Sequence, residues 1–142
     1  MKSAYLLAAL LALAPLSAAA QSKTTAKDVA KKVEDTGQAI KDYTVAQRDE
    51  AIRKAKAGLD DLDARTRRME RKLEREWDRM DQGARKKAQA TLDALRRERT
   101  EAAEWYGALK HSSAESWEQV KAGFVKSYEV LKASLAKAAK AF

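Results

Sequence analysis

From residue 29 onward the chain alternates apolar and charged positions in steps of three and four. Starting at Val29 and stepping by 11 gives Val29, Ile40, Ala51, Leu62, Leu73, Ala84, Leu95, Tyr106, Trp117, Tyr128 and Ala139, all apolar or aromatic. Two further registers add Val33, Ala55, Trp77 and Ala88, and then Met69, Met80, Ala102, Phe124 and Leu135. Eleven residues in three turns is about 3.67 per turn, close to a relaxed α-helix, so the stripe stays on one face with little or slightly right-handed coiling. No period-2 run of β-branched residues occurs, and no Pro follows Pro15. The pattern therefore predicts an all-α protein. Its long amphipathic helices, with hendecad periodicity, form a slender antiparallel bundle or a helical hairpin.

Punctuation sets the expected helix ends. Thr25 and Asp28 suit a helix start. Gly58, followed by Asp60 and Asp61, reads as a C-terminal cap and a restart. Ser112 stands three residues before Glu115, the spacing of a capping box, just after Lys110 and His111. Gly83 is a weaker break. Three helices are expected, at about 24–57, about 60–110 and about 113–141, within one domain covering 21–142.

The first 20 residues read differently. Lys2, an apolar run from Ala4 to Leu16 and the small residues Ala18–Ala20 have the form of a signal peptide cleaved near Ala20. The run is shorter than the ~20 residues a membrane span needs, and Pro15 breaks it. A periplasmic, exported protein is expected. It has no Cys, hence neither disulfides nor thiolate chemistry.

Composition narrows the fold. Leu, Ile, Val and Phe make up roughly 15% of residues 21–142, little for a globular core. Abundant Ala favours helix over disorder. The net charge is +8, which biases the protein toward anionic partners. The densest charge run, residues 65–81, sets Arg67, Arg71 and Arg75 three residues before Glu70, Glu74 and Asp78. Pairing at that spacing makes a self-neutralised, solvated face and argues against a nucleic-acid footprint.

The C-terminal stretch is unlike this. Trp117, Val120, Lys121, Phe124, Tyr128, Leu131, Lys132 and Leu135 put aromatics, aliphatics and flanking Lys along one face. Such a face suits an anionic membrane surface. It equally suits packing on the other helices, with Lys stems lying over its edge. These eight residues are the candidate membrane or partner face. Catalysis has little support: His111 stands alone, Ser112 and Ser113 have no base and acid to converge with, and Asp60, Asp61 and Asp63 lack the pattern of a calcium loop. No enzyme activity, cofactor or metal is expected.

Within that stretch Trp117, Glu118, Val120, Lys121 and Gly123, then Tyr128, Leu131, Lys132 and Leu135, match the pattern W-E-x-L-K-x-G-x-x-x-A-W-x-x-L-K-x-A-F, with Leu135 where the terminal Phe falls. Tyr128 replaces the second Trp. The segment resembles the tails of small bacterial coiled-coil proteins associated with stress, in their exported proteobacterial form. The likeness covers about the last 40 residues. It implies a helical bundle and an envelope stress, protective or scaffolding role, with no catalytic residues. Partners would be a second copy of the chain or envelope proteins. The alternative is a peripheral membrane protein acting through its basic C-terminal helix.

Overall fold

The structure, a computed structural model, describes residues 36–142. The expected signal peptide, the start at Thr25–Asp28, and Val29 and Val33 lie outside those residues. Four helices pack against one another, with no strand among the described residues. They are α1 (its described part, residues 36–41), α2 (Arg48–Glu76), α3 (Gln82–Lys110) and α4 (Trp117–Ala141).

Four expected boundaries are corrected. The expected helix 24–57 is interrupted at 42–47, where Thr44 and the 3-10 turn Val45–Gln47 lead into α2. The Thr44 N–H donates to Gln47 Oε1 at 3.1 Å there. The expected stop at Gly58 does not occur, and α2 runs straight through it. A Cβ at Gly58 would stand 2.7 Å from Thr36 Cγ2 and 2.9 Å from the Tyr128 hydroxyl. This glycine serves close packing, not a helix end.

The expected helix 60–110 is broken at 77–81. A 3-10 turn, Trp77–Arg79, is followed by extended Met80. Asp81 then caps α3, its carboxylate accepting from the Ala84 N–H at 2.7 Å. The break sits beside Gly83, but an N-cap aspartate makes it.

The last helix begins at Trp117, four residues later than expected. Ser112 is buried and its hydroxyl donates to the Leu109 carbonyl at 2.9 Å, so it closes the end of α3 and does not cap α4. Ser113 and Ser116 form the turn instead: Ser113 N–H donates to Ser116 Oγ at 3.0 Å and Ser116 N–H to Ser113 Oγ at 3.2 Å.

The bundle has two distinct ends. At the head, the connections 42–47 and 111–116 lie together, because the Arg48 guanidinium donates to the Ser112 carbonyl. At the tail, the turn 77–81 lies with the end of α4, because the Lys72 ammonium donates to the Phe142 carbonyl. Between them α2 meets α3 through Asp63–Arg99, with oxygen–nitrogen distances of 2.9 and 3.0 Å, and Glu70–Arg96 at 3.6 Å.

The buried positions show which period packs. In α3 they are Ala88, Leu95, Ala102 and Leu109, seven apart. In α4, Trp117, Lys121, Phe124, Tyr128, Leu131, Leu135 and Ala138 alternate steps of four and three. A 4-3 ladder contains 11-residue intervals, so over helices of this length the two periods select many of the same residues. Leu62, Leu73, Trp117 and Tyr128 belong to both, whereas Ala139 of the 11-residue series is exposed.

Candidate functional site

Every residue of the candidate face is buried or half-buried against the rest of the bundle. Trp117 (1% exposed), Phe124, Tyr128, Leu131 and Leu135 are core. Val120 is half-buried against that core. Lys121 is buried, and Lys132 keeps 22% of its side-chain exposure. The face expected to meet a membrane or partner is met by this chain's own helices.

The two repeats do equivalent work. In the first, Trp117 Nε1 donates to the Tyr43 carbonyl at 3.1 Å. Lys121 Nζ donates to the same carbonyl at 2.9 Å and pairs with Glu118 at 2.9 Å. One oxygen of the α1–α2 connection thus fixes the first turn of α4. Burying an ammonium is tolerable only with such partners. In the second repeat, 11 residues on, Tyr128 fills the Trp117 position and Lys132 pairs with Glu129 at 2.8 Å. The Tyr128 ring stacks on Phe124 at 5.9 Å, and its hydroxyl reaches Gly58 and Thr36. Burial pushes the Tyr128 phenol up from 10.0 to about 12, against the opposing pull of its hydrogen bond to Thr36.

The glycine of the motif has its own reason. A Cβ at Gly123 would stand 2.5–2.6 Å from the Trp105 ring of α3. Gly123 therefore admits Trp105 between α3 and α4, and Ser127 Oγ donates back to the Gly123 carbonyl at 2.7 Å. Trp117 and Lys121 of the motif dock α4 on the α1–α2 connection and Gly123 docks it on α3, while Glu118 holds the Lys121 ammonium from within α4.

Sequence reasoning missed the acceptors. Nothing in the pattern marks the Tyr43 carbonyl, because a backbone oxygen carries no sequence signal. Glu98 was missed as well: its Oε1 accepts from Ser134 Oγ at 2.8 Å, while its Oε2 is buried without a partner.

The expected Arg–acid pairs on α2 are corrected too. Among the described residues Arg67, Arg71 and Arg75 make no ion pair with Glu70, Glu74 or Asp78. Glu70 turns to Arg96 of α3 instead, since a cross-helix partner lies beside it. The three clustered aspartates diverge: Asp60 pairs with Lys56 at 2.7 Å, Asp63 with Arg99, and Asp61 faces Tyr128. The Asp63 carboxylate raises the Arg99 guanidinium above its ordinary range.

A groove of about 460 Å³ lies between α2 and α3, lined by Leu73, Trp77 and Leu92 and rimmed by Glu70, Glu74, Asp78 and Arg96. Among the described residues no cluster of three or more His, Cys, Asp or Glu is arranged to hold a metal ion. Nor is any of their helices long and apolar enough to cross a membrane. No family model, curated protein or solved structure matches this chain.

Proposed function

We propose that this chain is a non-enzymatic, exported helical coiled-coil protein with a protective or scaffolding role in the stressed bacterial envelope. The observation that carries the reading is the fate of the repeat: its Trp117, Lys121 and Gly123 are used in docking α4, with Glu118 pairing Lys121 along the helix. That is the behaviour of a structural element, and it fits the stress-associated family the C-terminal third resembles. The opposite order of the partners Asp63–Arg99 and Glu70–Arg96 supports a slender antiparallel bundle. The 11-residue intervals Leu62–Leu73 and Trp117–Tyr128 support a hendecad stripe within α2 and within α4.

Burial of Phe124, Leu131 and Leu135 weighs against membrane insertion by α4. These side chains would have to leave the core first, at ~1.5–3 kcal/mol each.

Fractionation of the producing cells tests export. The protein should appear in the periplasmic fraction with its N-terminus near Gln21, and recovery from the cytosol with residues 1–20 intact would overturn it. A strain lacking the protein should survive heat or osmotic shock less well than its parent. Equal survival of both strains under each stress would remove the protective role.

A further inference from the structure

The cations of this chain gather at one end. Residues 65–92 and 132–142, which meet at the tail, carry thirteen Lys and Arg against five Asp and Glu, a net +8. The other described residues carry eleven against thirteen, a net −2. The tail charge comes from three segments that only folding brings together: the last turns of α2, the first turns of α3 and the end of α4. Arg67, Arg71, Arg75, Arg79, Lys137 and Lys140 are all exposed. Among the described residues none of the six forms an ion pair. Three large apolar side chains, Trp77, Met80 and Phe142, are half-buried at the same end.

We propose that the tail docks the intact bundle on an anionic lipid bilayer, its cations against the headgroup phosphates and Trp77 at the depth of the interface. Exposed guanidinium groups suit phosphate oxygens. A half-covered Trp beside cations suits the boundary between headgroups and acyl chains. A phosphodiester strand fits the tail less well. The groove that reaches this end is rimmed by three acids, Glu70, Glu74 and Asp78, against one cation, Arg96, an acidic excess that repels a polyanion lying in it. A planar surface needs no groove. Nor does this docking need α4 to open, because Trp117, Phe124 and Tyr128 stay in the core. It stands independently of the protective role proposed above.

Sedimentation of the full chain with vesicles of equal phosphatidylglycerol and phosphatidylcholine tests the proposal. Residues 1–35 are common to every variant, so their contribution cancels in the comparison. Binding to these vesicles should exceed binding to pure phosphatidylcholine and weaken as salt shortens the Debye length. The triple change Arg71→Gln, Arg75→Gln, Lys137→Gln should lower affinity roughly a hundredfold, as expected for three cations at an anionic surface. A matched triple on exposed cations away from the tail, Lys41→Gln, Lys54→Gln, Lys126→Gln, should change it only a few-fold. Circular dichroism of each variant should show unchanged helicity, and near-ultraviolet spectra should not change on vesicle binding. Equal losses from the two triples would assign binding to total charge and overturn the proposal. Loss of the near-ultraviolet signal on binding would assign it to an opened core and overturn the proposal as well. Tight binding of a DNA duplex at a salt concentration where anionic vesicles bind none would assign the tail to nucleic acid instead.

Discussion

The head and the tail are built from the same helices and treat their polar groups in opposite ways. At the head, Lys121 is buried yet paired with Glu118 and the Tyr43 carbonyl, Arg48 is bonded to Ser112, and Trp117 is both packed and hydrogen-bonded. At the tail, Arg67, Arg71 and Arg75 stand in solvent without ion pairs among the described residues, and Trp77 and Met80 are only half covered. Interlocked polar and aromatic contacts concentrate stability at the head. Like charges add little stability at the tail and leave it available for a partner.

Substitutions should expose that asymmetry. The largest loss is expected from Trp117→Ala, which removes a buried ring and leaves the Tyr43 carbonyl with one donor fewer. A cost of about 3–5 kcal/mol is typical for Trp truncation in a core, read as a lowered denaturation midpoint. A change under about 1 kcal/mol would show that the head is not the stable end. Next is the alkaline behaviour of Tyr128. Its folded pKa is raised, so its contribution is fully present below pH 10 and is lost as pH rises toward about 12. The unfolded chain ionises first in that window and stability falls, on the order of 2 kcal/mol in all. Tyr128→Phe should lack this part of the slope in melts at stepped pH, and parallel profiles would refute the burial of the phenol.

Gly123→Ala should cost about 1–3 kcal/mol, because its methyl group collides with Trp105. Gly107→Ala, on the same helix as Trp105 but with open space around it, should stabilise slightly. Thermal melts of the pair should move in opposite directions. At the tail, Asp81→Ala should cost about 1 kcal/mol through the lost cap of α3. Arg71→Ala should stay within about 0.5 kcal/mol of the parent.

Part of this is readable from the sequence. Helical periodicity picks out Leu62, Leu73, Leu95, Trp117 and Tyr128 as core, and all five are buried. The breaks are harder to read. Gly58 resembles a stop because glycine serves two physical ends, freeing the backbone and admitting a neighbour, and only the position of Tyr128 decides between them. Ser112 and Ser113 are adjacent hydroxyls, and the choice of Ser113 with Ser116 depends on turn geometry that spacing does not encode. The C-terminal face is plainly amphipathic, but amphipathicity does not name what covers it. The partner includes a backbone carbonyl 74 residues away. Local spacing permits the arginine ladder to pair with itself, whereas Glu70 finds Arg96 on another helix.

That long-range carbonyl also sets an order of assembly. The α2–α3 pair joins neighbours in sequence and can close as soon as both helices exist. The Tyr43 oxygen must wait for donors 74 and 78 residues later, and at the tail the Lys72 ammonium waits for Phe142. A nascent chain stalled before residue 117 has its α1–α2 connection unfastened, and the head gains its resistance to proteases only when most of the chain has been made.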